Sequence, residues 1–287
     1  MEWKVPPLSL IYLLVVCPSA QALLSNNAKA SLPSGFSIAA GLGLTSFMTS
    51  TTSNTSAATI QKTANNTNNR YGMLGNFALG YNRNYRDRYY LGGEFGVNLL
   101  GARKTTLDSI IQNRTTVSHD LDIAIVNSAL STATNVSEKI AVPVLDIKPG
   151  LFLNPNTLVF ARVGMSFNTM DLNASSSYQS DGNVQSSGSR TSASTLSTFY
   201  NATTKQTIGL RTGLGFEYLI TDKLGLSANY IFTGYNGVQL NGSQPSNQIA
   251  CDTFEGCSVD KNGVYTTTQR STVSVQDVML QLIYHMA

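Results

Sequence analysis

Charged residues are scarce in this chain of 287 residues, since Asp, Glu, Lys and Arg make up 12% of it and ordinary soluble domains carry about 25%. A net charge of +3 spread over this length forms no basic stripe, which argues against nucleic acid as a partner. Long apolar runs are absent after the first 25 positions, which excludes a bundle of membrane-spanning helices. The sequence instead predicts a β-rich chain with dispersed apolar residues.

Histidine and cysteine are also rare, with two and three residues respectively, and neither type is spaced as metal ligands usually are. We therefore expect no metal site and no bound cofactor.

The N-terminus has the pattern of an export signal. Lys4 supplies a positive charge, residues 8–16 form an apolar core, and Ala20-Gln21-Ala22 is an A-x-A cleavage site. The pattern predicts a signal peptide over residues 1–22, a short periplasmic segment over 23–34 and one domain over 35–287. Cleavage leaves Cys251 and Cys257, and an even pair of cysteines in an exported protein predicts a disulfide.

Eight segments of the mature chain alternate apolar and polar residues with a period of two, which is typical of β-strands. In the clearest, Leu91, Phe95 and Val97 alternate with Glu94 and Asn98. Each segment has about the 9 to 11 residues that a tilted strand needs to cross a bilayer. Three connections are short and rich in turn residues, around 84–88, 154–156 and 221–223. The other four, at about 51–69, 102–141, 168–204 and 236–271, are long, rich in Ser, Thr and Asn, and predicted as irregular loops.

This arrangement predicts an all-β, eight-stranded antiparallel up-and-down transmembrane β-barrel with four long extracellular loops and three short periplasmic turns. The alternative is a soluble eight-stranded barrel with its apolar residues inside. The unequal connections favour the membrane barrel, as do aromatic residues clustered near both ends of the apolar face. The polar face carries charges of both signs, which we interpret as a salt-bridge network in the lumen: Glu94, Asp146, Lys148, Arg162, Arg211, Glu217 and Asp277.

Two hairpins and the C-terminus resemble a known family. LDIKPGLFLNPNTLVFARVG (145–164) and GLRTGLGFEYLITDKLGLSANY (209–230) are similar to hairpins of OmpA-type outer-membrane barrels and bacterial surface antigens. The resemblance implies location in the outer membrane of a Gram-negative bacterium. We expect no peptidoglycan-binding domain after the barrel. It also implies a C-terminal strand recognised during assembly, with Met286 in the place of the usual terminal aromatic. The outward residues of that strand are Val278, Leu280, Leu282, Tyr284 and Met286.

The long loops are the expected functional surface, because a rigid scaffold commonly presents function on its connections. The leading hypothesis is a structural or adhesin-like surface protein. Its expected partners are outer-membrane lipid and lipopolysaccharide, periplasmic chaperones, the barrel-assembly machinery, and host surface or matrix molecules. The alternatives are a narrow OmpW-like channel for small or apolar solutes and, third, a lipid-modifying enzyme that uses His119 or His285. Because no serine is fixed beside either histidine, we expect no catalytic residues.

Overall fold

Ten antiparallel β-strands make up most of the chain in the computed structural model, which describes residues 34–57, 60–85, 88–101, 104–119, 122–138, 141–185, 190–252 and 256–286. The strands are β1 (Gly35–Ala57), β2 (Ile60–Tyr85), β3 (Tyr89–Leu100), β4 (Lys104–His119), β5 (Asp122–Glu138), β6 (Ala141–Asn154), β7 (Thr157–Gln185), β8 (Arg190–Leu219), β9 (Leu224–Asp252) and β10 (Gly256–His285). Within these ranges no helix is long and apolar enough to cross a membrane. The predicted signal peptide lies outside the described residues.

Eight strands close into a barrel. Around the ring they follow the order β1, β2, β3, β6, β7, β8, β9 and β10, and each pairs antiparallel with both neighbours. The first and last strands complete the ring through a ladder that runs from Ser37 opposite His285 to Ala57 opposite Tyr265. β4 and β5 form an additional hairpin, in which β5 pairs with the far half of β7. The ring confirms the predicted eight-stranded barrel.

Alternation along each strand separates an apolar outer face from a polar lumen, because successive side chains point to opposite faces of a sheet. On β3, Leu91 and Phe95 are exposed on the outside, whereas Glu94 and Asn98 are buried inside. The large apolar residues of the predicted segments therefore face the bilayer. This orientation excludes the soluble alternative.

Exposed tyrosines lie near the end of the barrel that carries the chain termini, here called the terminal side. Tyr81, Tyr89, Tyr218 and Tyr284 all point outward, and the Tyr81 ring packs edge-on against Phe36 with ring centroids 5.2 Å apart. Such a row is typical of the aromatic girdle at a membrane interface.

The three short turns lie at the terminal side, as predicted. In one, Asn154 Oδ1 accepts a hydrogen bond from the backbone N–H of Asn156 at 3.0 Å. In another, Thr221 Oγ1 accepts one from the Leu224 N–H at 3.0 Å. These side-chain acceptors replace ladder partners where the chain reverses.

The prediction of irregular long loops was wrong. At the opposite end, here called the distal side, residues of all four long connections continue as strands. Those at 51–69, 168–204 and 236–271 extend the ring strands as antiparallel hairpins, and 102–141 contains β4 and β5. The Ser-rich stretch 175–197 therefore lies in β7 and β8 where it is described. Its many hydroxyl and amide residues give no apolar alternation, so its sequence did not predict strands, although its backbone forms a ladder.

Candidate functional sites in the lumen and on the distal side

A buried ion network occupies the lumen on its β3–β6–β7–β8 side. Asp146 lies at its centre and receives two guanidinium groups, with Arg162 Nη1 at 3.1 Å and Arg211 Nε at 3.0 Å. Arg162 Nη1 also lies 3.0 Å from Glu94 Oε1, and Lys148 Nζ bonds to the same glutamate. All five side chains are almost fully buried, so each charge depends on its partners for stabilisation.

The other two predicted lumen charges lie on β8 and β10. Glu217 Oε1 is 2.7 Å from His285 Nε2, and this pair connects β8 to the C-terminal strand. Asp277 is buried on the inner face of β10. The sequence places His285 on the inward face of the last strand with Asp277 and Gln281, but His285 was not among the residues of the predicted salt-bridge network.

A chain of side-chain amides crosses the other side of the lumen. Gln281 Nε2 donates to Asn76 Oδ1 at 2.6 Å, and Asn76 Nδ2 donates to Asn98 Oδ1 at 2.7 Å. Asn229 Nδ2 donates to Gln281 Oε1 at 2.9 Å and to Ser227 Oγ at 3.0 Å. The sequence placed these polar residues on the inner face, but the connections between them depend on lumen width.

Apolar clusters fill the lumen at two further levels and the space between the distal strands at a third. Near the terminal side lie Tyr90, Phe152, Leu158, Phe160 and Leu219. A second cluster joins the amide level to the distal side: Leu74, Leu100, Val142, Val144, Ile231 and Met279. The third lies distally: Phe47, Val136, Met170, Leu172, Ala174, Tyr235, Val238, Leu240, Val273 and Val275. An eight-stranded barrel is narrow enough for side chains to fill. The described lumen is therefore a packed interior.

The third cluster is the core of a distal β-sandwich. The β8–β9 ladder ends at Gly209 opposite Tyr235, and the β2–β3 ladder ends at Leu74 opposite Leu100. Beyond these points the strands separate into two sheets, β2-β1-β10-β9 and β4-β5-β7-β8.

Hydrogen bonds also join the two sheets of the distal β-sandwich. Thr134 Oγ1 on β5 donates to Gln269 Oε1 on β10 at 3.1 Å. At the β8–β9 opening, Asn201 Nδ2 donates to the Asn241 carbonyl at 2.9 Å. The polar bridges and the apolar core together hold the sheets face to face.

The remaining predicted site residues lie on strands. The backbone register sets Cys251 of β9 directly opposite Cys257 of β10. His119 ends β4 and its Cα is paired with Asp122, while Asp120 lies outside the described residues. Val278, Leu280, Leu282 and Tyr284 point outward on β10, and Met286, directly after the strand, is also exposed. Among the side chains described, no group of three or more His, Cys, Asp or Glu residues could hold a metal ion.

No curated protein matches the chain. Solved structures similar to it include OprG of Pseudomonas aeruginosa, with 9% identity, 91% of this chain and 100% of that chain covered, and a TM-score of 0.42. Ail, the attachment invasion locus protein of Yersinia pestis, has 11% identity, coverages of 85% and 99%, and a TM-score of 0.25. The outer-membrane protease OmpT of Escherichia coli has 8% identity, coverages of 86% and 97%, and a TM-score of 0.23.

A family model described as the outer membrane protein beta-barrel domain matches residues 8–250. This family is broader than the OmpA-type group that the two hairpins resemble. The match covers most of the chain, and the structure supplies the closed ring with an apolar exterior that a membrane barrel requires. The chain belongs to the outer-membrane β-barrel protein family.

Proposed function

We propose that this protein is exported by its N-terminal signal to the outer membrane of a Gram-negative bacterium, where its distal β-sandwich contacts host or envelope molecules. The distal side is then extracellular. The observation that supports this proposal is the apolar core between the two distal sheets, since Leu172 and Ala174 are fully buried there. Strands held by a core present a defined surface, which suits selective binding.

The length of the distal strands also favours a role in contact. From Phe167, at the distal edge of the lipid-facing band, β7 continues to Gln185. At about 3.3 Å per residue, these 18 steps measure roughly 60 Å along the strand. A barrel that serves only to span the bilayer needs no such extension.

A deletion that respects the strand pairing tests this proposal. Because β5 pairs with distal β7, residues 102–140 and 170–204 are removed together and each is replaced by a short Gly-Asn turn. The ladder from Thr157–Tyr218 to Phe167–Ile208 stays intact, so the barrel should still assemble and show a heat-dependent shift in electrophoretic mobility. We expect loss of binding by whole cells to host cells and matrix. Unchanged binding by a correctly assembled deletion variant contradicts the proposal.

The channel alternative makes a different prediction. Because packed side chains fill the described lumen and the distal sandwich beyond it, we expect no stable conductance in planar bilayers. Neutralising Arg211 or Glu217 should not create defined conductance steps either. Reproducible single-channel steps that change in Arg211→Gln or Glu217→Gln would favour the channel.

We further infer that the protein is not an enzyme, because His285 is buried against Glu217 inside the barrel. Overexpression should therefore leave lipid A unchanged. If overexpression alters lipid A and His285→Ala or His119→Ala abolishes the change, the enzyme hypothesis is the better one.

Assembly partners belong to the same proposal. The apolar outer face of β10 is proposed to be recognised by periplasmic chaperones and the barrel-assembly machinery, and afterwards to face outer-membrane lipid and lipopolysaccharide.

A further inference from the structure

One aromatic side chain stands out on the exterior of the distal sandwich. Tyr200 on β8 is 68% exposed. The other exposed large apolar side chains among the described residues belong to the lipid-facing band or to the terminal-side rim. A single exposed ring is unremarkable in itself. The residues around this ring indicate that it is part of a binding surface.

Polar side chains that are already oriented surround Tyr200 on the outer face of the β7–β8 ladder. Ser175 is its direct cross-strand neighbour, and the Tyr200 hydroxyl lies 3.5 Å from Asn173 Oδ1. Further along, Thr204 Oγ1 donates to Asp171 Oδ1 at 2.6 Å. These contacts limit the rotamers that the side chains explore, which lowers the entropic cost of binding.

A second carboxylate continues the row away from the membrane. Asp181 Oδ1 accepts a hydrogen bond from Ser194 Oγ at 2.7 Å, and Asp181 Oδ2 accepts one from Gln179 Nε2 at 3.0 Å. Side chains on one face of a strand repeat at about 6.7 Å and face their cross-strand partners at about 5 Å. The result is a flat strip of hydroxyl, amide and carboxylate groups with one aromatic ring in it.

The charge of this strip selects its ligand. Between Thr169 and Asp181 on β7, and between Ser194 and Gln206 on β8, the outward positions include two aspartates and no Lys or Arg. Lys205 is exposed, but it has the opposite parity to the strip, since its Cα pairs with that of the buried Met170. The strip therefore disfavours sulfated, phosphorylated and sialylated polymers, whereas hydroxyl groups can donate to its carboxylates.

We propose that this strip, centred on Tyr200, binds an uncharged oligosaccharide of the host surface or matrix. The apolar face of one sugar ring packs on the Tyr200 ring, and its hydroxyls hydrogen-bond to Asn173, Ser175 and Asp171. The inference rests on the proposed contact function and names its ligand class. Tyr200 lies eight residues beyond Ile208 at the lipid-facing band, about 26 Å along the strand. That separation and the acidic strip favour a foreign neutral glycan over the phosphorylated core of lipopolysaccharide in the same membrane.

The full chain in lipid nanodiscs, applied to an array of neutral, sialylated and sulfated oligosaccharides, tests the ligand class. We expect binding to neutral members only. Tyr200→Ala should weaken it about tenfold or more, whereas Tyr200→Phe keeps the ring and should stay within about threefold of wild type. Tyr71→Ala is the matched control, because Tyr71 is 81% exposed but lies at the edge of the lipid-facing band, and it should bind as wild type does.

Three results would overturn the inference. They are failure of the wild-type protein to bind any neutral oligosaccharide, equal binding by Tyr200→Ala, and competition by purified lipopolysaccharide from the same bacterium. Whole-cell binding separates this inference from the proposed function. If the paired hairpin deletion abolishes binding to host cells while Tyr200→Ala leaves it intact, the result supports contact through the sandwich and contradicts glycan binding by the strip.

Discussion

Asp146 illustrates how single residues stabilise the barrel interior. Its carboxylate binds Arg162 from β7 and Arg211 from β8, so that one side chain of β6 connects three strands of the ring. Arg211 Nη2 adds a third contact to Asp146 Oδ2 at 3.3 Å. Buried ion pairs of this kind need not be more stable than apolar packing, but breaking one leaves an uncompensated charge.

Asp146→Ala should therefore destabilise the folded barrel by about 3–5 kcal/mol, because two buried guanidinium groups lose their shared partner. Urea titration of the protein in lipid vesicles, followed by tyrosine fluorescence and electrophoretic mobility, measures the difference. Asp222→Ala, in an exposed terminal-side turn, serves as the control and should change stability by less than about 0.5 kcal/mol. Equal stabilities of the two variants would mean that the network contributes little.

Gly164 makes room for that carboxylate. It is paired with Asp146 in the β6–β7 ladder, and a Cβ at this position would lie 2.7 Å from Asp146 Cα and closer still to the Asp146 carboxylate and the Leu145 carbonyl. No other residue type fits without moving the β6 backbone. The small residue is thus required by the charge next to it.

Gly164→Ala should consequently lower the yield of assembled barrel in the outer membrane several-fold. Gly93→Ala is the matched control, since a Cβ at Gly93 meets nothing within 4 Å, and its yield should equal that of wild type. The heat-modifiable fraction in isolated outer membranes gives both values. Normal assembly of Gly164→Ala would show that the β6 backbone adapts.

At this scale, alternation in the sequence was enough to put the predicted charges inside, but not to pair them. Glu217 has the same inward parity as Arg211, yet it binds His285. Which side chains meet depends on the stagger between strands and on the lumen width, and neither is encoded within one strand.

On individual strands, the large apolar side chains change from the outer face to the inner face at the point where the bilayer ends. On β7, Met165 and Phe167 point outward to lipid, whereas Met170 and Leu172 point inward. The same inversion occurs on β1, where Leu44 is exposed and Phe47 is buried. Outside the bilayer, water replaces lipid around the barrel, so apolar residues are more stable between the two sheets than on the exterior.

Gly237 assists this change on β9. The β9–β10 register shifts between Ser271 and Val273, where one residue of β10, Thr272, lies opposite two residues of β9, Asn236 and Gly237. A bulge of this type increases local twist. It also reverses the faces of β9, so that even-numbered residues, which point outward before the bulge, point inward after it. Val238 and Leu240 therefore join the distal core.

The β9–β10 hairpin should be closed by a disulfide between Cys251 and Cys257. Directly opposed residues of antiparallel strands have Cα atoms about 4.5–5.5 Å apart, within the range that a disulfide spans. Mass spectrometry of non-reduced peptides from intact cells should find the cross-link, and a thiol-reactive probe should label the protein only after reduction. Labelling without reduction would contradict the bridge.

For the molecule as a whole, the barrel and the distal sandwich have separate cores. The network around Asp146 and the clusters near it lie within the lipid-facing band, and the distal core lies beyond it. The two parts should therefore respond differently to substitution.

Leu172→Asp should open the distal sandwich and leave the barrel assembled, because it places a charge in a fully buried apolar position. Added protease should then cleave β7 and β8 on intact cells, while a heat-modifiable fragment that contains the barrel persists. Ser175→Asp is the control, since Ser175 is exposed on the same strand and the substitution should leave protease resistance unchanged. Loss of the whole protein in Leu172→Asp would instead show a single cooperative unit.

Alternation and turn composition in the sequence were sufficient to predict the eight-stranded barrel, the outward face of each strand and the positions of the short turns. Those features depend on a period-two alternation that a bilayer imposes on every spanning strand, so the sequence of each strand is sufficient to predict them. Three features became visible only in the folded protein: the long connections form a sandwich, apolar clusters fill the interior, and Glu217 pairs with His285. The distal segments carry polar residues on much of both faces, so their sequence shows no clear alternation. They form strands because they pair and pack with partners distant in sequence, as Thr134 does with Gln269 across the two sheets.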